Sequence, residues 1–197
     1  MKPTHAQLAA ATAKKLPDLI APGLAVLFCG INPGLYSTAV GHHFARPGNR
    51  FWPTLYASGF TPRLFTGFDD REMPALGFGL TNIVGRTSAA AAELSGDELR
   101  AGAKVLRKKL ARYRPGILAV VGFGAFRTAF DRPKAIGGLQ AEPIDATPVW
   151  LLPNPSGLNA NHPPVELARR FGELRAFVAA KDATEPGSVD PPRDGRR

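Results

Sequence analysis

The chain has 197 residues with 25 Lys and Arg against 16 Asp and Glu, a formal net charge of +9. That length suits a single hydrophobic core, and no apolar run approaches the roughly 18–20 residues that a membrane-spanning helix needs, so no membrane partner is expected. A single cysteine, Cys29, excludes an internal disulfide, a thiolate zinc cage and a four-cysteine iron–sulfur cluster. Of the four histidines only His42 and His43 are neighbours, so the expectation is chemistry without a metal.

Residues 1–15 carry Lys2, Lys14 and Lys15 around an alanine-rich stretch and read as a flexible or helical extension. They lack a compact apolar core followed by a cleavage pattern, so a cytoplasmic protein is expected. The folded domain is assigned to 16–180. Within it, residues 24–29 form a continuous apolar run, which predicts a strand buried on both faces, and 78–83 reads the same way. Ser95 and Glu98 have capping-box spacing ahead of a stripe of Leu99, Ala103, Leu106 and Leu110, which predicts a helix. Two more strands are predicted over 117–121 and 149–152. A last helix follows Pro163 and Pro164, with Leu167, Phe171, Leu174 and Val178 at helical spacing. The segment 181–197 is rich in Pro, Gly, Asp and Arg without apolar periodicity and is expected to be a disordered basic tail. Strands separated by helices predict an α/β fold, a parallel sheet with helices on both faces.

In such a fold, ligands bind beyond the carboxyl ends of the strands. The first strand is followed by Gly30-Ile31-Asn32-Pro33-Gly34, and the last by Pro153-Asn154-Pro155-Ser156-Gly157-Leu158. Asn and Pro are favoured in turns for local reasons, so either step alone is also explained structurally. The pair, with Phe44, Arg46, Asn49 and Arg50 downstream of the first, marks one edge of the sheet as a candidate site. The basic charge points to an anionic partner, although Lys104, Arg107, Lys108, Lys109 and Arg112 also read as solvated surface.

These residues carry a resemblance. The runs Phe28-Cys29-Gly30-Ile31-Asn32-Pro33-Gly34-Leu35, then 44–52 (Phe44 to Trp52), then 152–158 (Leu152 to Leu158) are similar, in order and spacing, to the mismatch-specific uracil-DNA glycosylase and thymine-DNA glycosylase family. Residues 79–84, with Arg86 and Thr87, extend the match. The resemblance implies a three-layer α/β/α fold with a short central parallel sheet. It implies a monofunctional glycosylase of base excision repair, acting as a monomer on double-stranded DNA, associated with the nucleoid through that binding and using no cofactor. Such an enzyme flips out uracil, and other pyrimidines such as thymine or ethenocytosine opposite guanine, and hydrolyses the N-glycosidic bond.

Residue by residue, the resemblance makes Asn32 the catalytic Asn whose side-chain carbonyl orients the attacking water, with Asn154 beside it. Phe44 is the ring that stacks on the extruded base, and main-chain N–H groups at Ile31 and Phe44 meet the uracil oxygens. Ser37 and Asn82 stand with them as substrate contacts. Gly34 occupies the place where strict uracil-excising relatives carry an aromatic ring that blocks the thymine methyl group, so broader substrate choice is implied. Arg46, Arg50, Ser156, Gly157, Leu158 and Asn159 fall on the DNA-binding side, with Leu158 as an apolar wedge. Where the family often has Arg two residues after this Leu, the chain has Ala160.

Asn at both end motifs leaves no evident general base. Glu93, the one carboxylate between 84 and the Ser95-capped helix, is therefore a candidate to reach the water held by Asn32. A helix dipole also favours an acid at that place. The competing reading is a non-catalytic nucleotide- or DNA-binding module of the same α/β type. The chain has neither a phosphate-loop Gly-Lys-Thr/Ser pattern nor a Gly-x-Gly-x-x-Gly fingerprint after its first strand, which argues against it. A third reading keeps the fold and changes the substrate to RNA or free nucleosides.

Overall fold

The computed structural model describes residues 2–157 and 162–184. An N-terminal helix α1 (His5–Ala10), capped by Thr4 and continued by a 3-10 turn, leads to β1 (Val26–Gly30). Then come α2 (Leu35–Val40), α3 (Phe51–Ala57), a 3-10 segment (Gly67–Leu76) and β2 (Phe78–Asn82). A short 3-10 turn (Ala91–Glu93) precedes α4 (Gly96–Tyr113), β3 (Ile117–Val121) and α5 (Phe123–Ala129). The chain continues through β4 (Gly138–Leu139) and β5 (Val149–Leu152) to α6 (Pro164–Thr184).

The sheet order is β2-β1-β3-β5-β4, with the first four strands parallel and β4 antiparallel to β5 at one edge. Strand alternation sorts the apolar residues onto two faces. Val26, Phe28, Leu80, Ala119 and Trp150 pack with Phe51 and Leu55 of α3 and Phe171 and Leu174 of α6. Leu27, Cys29, Leu118, Val120 and Leu151 pack with Leu99, Ala103 and Leu106 of α4 and Phe126 of α5. Helices on both faces of one sheet give the three-layer α/β/α architecture.

Strands 117–121 and 149–152 fall where expected, and 78–83 ends one residue early. The run predicted as a strand over 24–29 is displaced to Val26–Gly30. Leu24 and Ala25 instead accept from Gly116 and Ile117 where the chain enters the sheet. The Ser95 capping box forms in both directions: Ser95 Oγ accepts from Glu98 N–H at 3.1 Å, and Glu98 Oε2 from Ser95 N–H at 2.9 Å. Helix α6 runs to Thr184, four residues into the segment expected to be a disordered tail, because the apolar face through Val178 is followed by residues that still propagate helix. The remainder of that segment lies outside the described residues. Among the described residues no helix is long and apolar enough to cross a membrane.

Cys29 is the fourth residue of β1 and fully buried. Burial pushes its thiol pKa well above the ordinary value, with Lys109 opposing the shift.

Candidate active site

Parallel strands deliver their carboxyl ends to one edge, and the loops after β1, β2 and β5 meet there around a cavity of about 150 Å3. Its lining includes Ile31, Asn32, Gly34, Ser37, Phe44, Asn82, Asn154 and Ser156, together with Arg46 at the rim. Motifs separated by more than a hundred residues therefore share one concave surface.

The loop after β1 is fixed by the 86–90 segment. Asn32 Nδ2 donates to the carbonyl oxygens of Pro33 at 3.2 Å and Arg86 at 3.1 Å, and to Ser88 Oγ at 2.8 Å. Two of these partners are carbonyls, which only accept. Ser88 spends its own proton on the Ala90 carbonyl at 2.7 Å, so it too accepts from Asn32. The amide orientation is thereby determined: nitrogen faces the protein and Oδ1 is the remaining acceptor. No described donor engages that Oδ1. Arg86 is held in turn by Glu98 and the Glu93 carbonyl. The Arg86 guanidinium first, and the Ser95 N–H second, bring the Glu98 carboxyl down to about 2.

Gly30, the last residue of β1, lies under Asn82 and Phe44. A Cβ on Gly30 would sit 2.5 Å from Asn82 Oδ1 and 3.3 Å from the Phe44 ring, so only glycine permits this close approach. Asn82 is 7% exposed and lines the cavity. Phe44 adopts a left-handed backbone, φ 51°, and its ring stacks on Phe51 with centroids 3.9 Å apart and planes 18° from parallel. Among the described residues, no acceptor takes the main-chain N–H of Ile31 or of Phe44.

Gly34 has an extended backbone, φ −79° and ψ 155°, and a Cβ there would meet nothing within 4 Å. The turn does not require glycine, and the space above it is open. Ser37 Oγ accepts from Ala45 N–H at 3.1 Å, binding α2 to the Phe44 loop. Beside it, burial pushes the His43 imidazole below its ordinary pKa, outweighing the Pro17 carbonyl and the Asp70 and Asp18 charges.

The remaining expected residues divide. Asn154 lines the cavity, with Oδ1 accepting from Ser156 N–H at 2.9 Å in a turn. Arg46 is exposed and, with Pro47, Gly48, Asn49, Ser156 and Gly157, borders a second groove that opens from the cavity. Arg50, expected to contact DNA, is placed differently: its guanidinium donates to the carbonyls of Ser156 at 2.9 Å and His162 at 2.6 Å. The planar donors thus serve the protein's own loop after β5. Glu93 does not line the cavity. Its carboxylate folds back to accept from Ala90 N–H at 3.0 Å and caps the short 3-10 turn, which corrects the expectation that it reaches the Asn32 water. Leu158 and Asn159 lie outside the described residues. Sequence reasoning missed Ser88, which orients Asn32, and Asp70, whose carboxylate faces the 42–43 turn; neither belongs to a strand-end motif.

The family model for the uracil DNA glycosylase superfamily matches residues 17–175, which spans all the elements that build the cavity. The chain belongs to the uracil DNA glycosylase superfamily, whose members are DNA glycosylase hydrolases acting on DNA.

Proposed function

We propose that the protein is a monofunctional glycosylase of the mismatch-specific uracil/thymine type, which extrudes uracil, and pyrimidines such as thymine or ethenocytosine opposite guanine, from duplex DNA and hydrolyses the N-glycosidic bond. The observation that carries this reading is the triple anchoring of Asn32 Nδ2, which leaves Oδ1 to hold a water on the same cavity as Phe44 and Asn82. The free face of Phe44 receives the extruded base and replaces stacking lost from the duplex. Asn82 offers both a donor and an acceptor, the complement of the N3–H and O4 edge of uracil.

As the C1′–N1 bond breaks, its electron pair stays on the base and negative charge spreads to the ring oxygens. The N–H groups of Ile31 and Phe44, which no described acceptor takes, supply donors for that charge, as in an oxyanion hole. The sugar becomes oxocarbenium-like, the water on Asn32 adds to C1′, and its proton leaves to solvent or to the departing base. An amide cannot ionise, so Asn32 orients rather than deprotonates. No lysine lines the cavity among the described residues, which supports hydrolysis over a Schiff-base lyase.

The test incubates the protein with duplexes carrying uracil, thymine or ethenocytosine opposite guanine in excess chelator. The expected product is an abasic site in an uncut strand, revealed by alkali. Binding without abasic sites would favour the non-catalytic DNA-binding module, and a borohydride-trapped covalent adduct would overturn the monofunctional assignment.

A further inference from the structure

We infer that Asp70 is a positioning residue for base capture: its buried carboxylate holds the turn that presents Phe44 to the extruded base. The inference rests on the stacking role proposed for Phe44. Asp70 lies in the 3-10 segment after α3, its side chain 2% exposed. Oδ2 accepts from the His43 N–H at 2.8 Å, and Oδ1 lies 2.9 Å from His42 Nδ1. One carboxylate therefore grips two consecutive residues immediately before Phe44.

That grip matters because Phe44 has a positive φ, and a bulky L-residue enters that region only when its surroundings over-determine it. The other restraints are visible. His43 Nε2 meets the Pro17 carbonyl at 2.9 Å, Trp52 Nε1 donates to the His43 carbonyl at 3.2 Å, and Ser37 Oγ holds Ala45 N–H. Gly67, at the start of the segment carrying Asp70, packs so closely that a Cβ there would lie 2.5 Å from the Ala45 Cβ. Of these restraints, Asp70 alone binds two main-chain or ring donors at once, and a buried carboxylate makes charge-assisted bonds stronger than neutral ones. With that carboxylate removed, the 42–45 turn is free to relax toward a negative φ at Phe44. The ring then leaves the face of Phe51 and the base loses its platform.

The test is a double-mutant cycle read by single-turnover excision of uracil opposite guanine. Phe44→Ala and Asp70→Ala are each expected to slow excision by about 10-fold or more. The double variant is expected to be slower than Phe44→Ala by much less than the factor Asp70→Ala shows alone, since Asp70 acts through the turn that presents the Phe44 ring and N–H. Asp70→Asn, which keeps an acceptor for His43 N–H, is expected to recover most of the rate. If Asp70→Ala does not fold, Asp70→Ser, too short to reach both groups, reads the same coupling. Losses that multiply in the double variant would overturn the inference and leave Asp70 a general stabiliser. An unchanged rate for Phe44→Ala would overturn the stacking role itself, and this inference with it.

Discussion

The guanidinium of Arg50 donates to the main-chain carbonyl of Ser156 at 2.9 Å, tying the loop that follows Phe44 to the loop that leaves β5. On the resemblance's placement of the loop after β5 on the DNA side, Arg50→Ala is expected to slow excision from duplex DNA more than from single strands, because only duplex must be opened against stacking. Arg50→Lys supplies the charge without the planar fork and is expected to restore little. Equal losses on the two substrates, measured as single-turnover rates, would contradict this role.

Asn32→Ala is expected to lower single-turnover excision by about 10²-fold or more while leaving DNA affinity nearly intact, since misplacing a reacting group by about 1 Å has that scale of effect. Ser88→Ala removes one acceptor that orients the amide and is expected to show a smaller loss in the same direction. Rate and affinity measured together check both variants.

Gly34→Tyr is expected to narrow substrate choice. The extended backbone at Gly34 accepts any residue, so the variant should fold, and its ring would occupy the open space beside the cavity. The ratio of uracil to thymine or ethenocytosine excision, compared between variant and wild type, should rise. An unchanged ratio would show that this space does not meet the base.

Glu93→Gln and Glu93→Ala are both expected to keep near-normal excision rates. The carboxylate is committed to the Ala90 N–H, so the alanine variant alone should show a lowered melting temperature. A large rate loss in the glutamine variant would return Glu93 to the chemistry.

His43 makes stability depend on pH. Its folded value is lowered from 6.5 by burial, so the unfolded chain binds the proton more readily. The stabilisation is complete above the unfolded value and is lost as pH falls from there toward the folded value. The melting temperature is expected to drop as pH falls below about 6.5, the ordinary imidazole value, and to drop less in His43→Gln.

The elements that the sequence announced are those whose signals are local. Continuous apolar runs marked β1, β3 and β5, a run broken by Thr81 and Asn82 marked β2, and the Ser95 cap with its stripe marked α4. Helices α2 and α5 gave no such signal, being six and seven residues long with no side-chain cap. The two-residue β4 exists only through its pairing with β5. Asn32, Asn82 and Asn154 were legible as cavity-lining residues because each ends or closely follows a strand, and Phe44 because it falls in a run that resembles a known family. Ser88 and Asp70 were not, because their roles lie in contacts across 56 and 28 residues. For Arg50, the sequence supplies the charge but not whether a phosphate or a carbonyl lies in front of it.

Cys29 gives the sheet an internal clock. It is the only thiol in the chain, buried in the strand that ends two residues before Asn32, and its raised pKa keeps it protonated. A soluble thiol reagent can reach it only after β1 separates from its neighbours, so the labelling rate of the native protein counts those openings. A duplex holding a base that resists hydrolysis, seated against the loop after β1, would slow that count. Ligand binding at the edge of the sheet could thus be timed from its centre without a reporter being introduced.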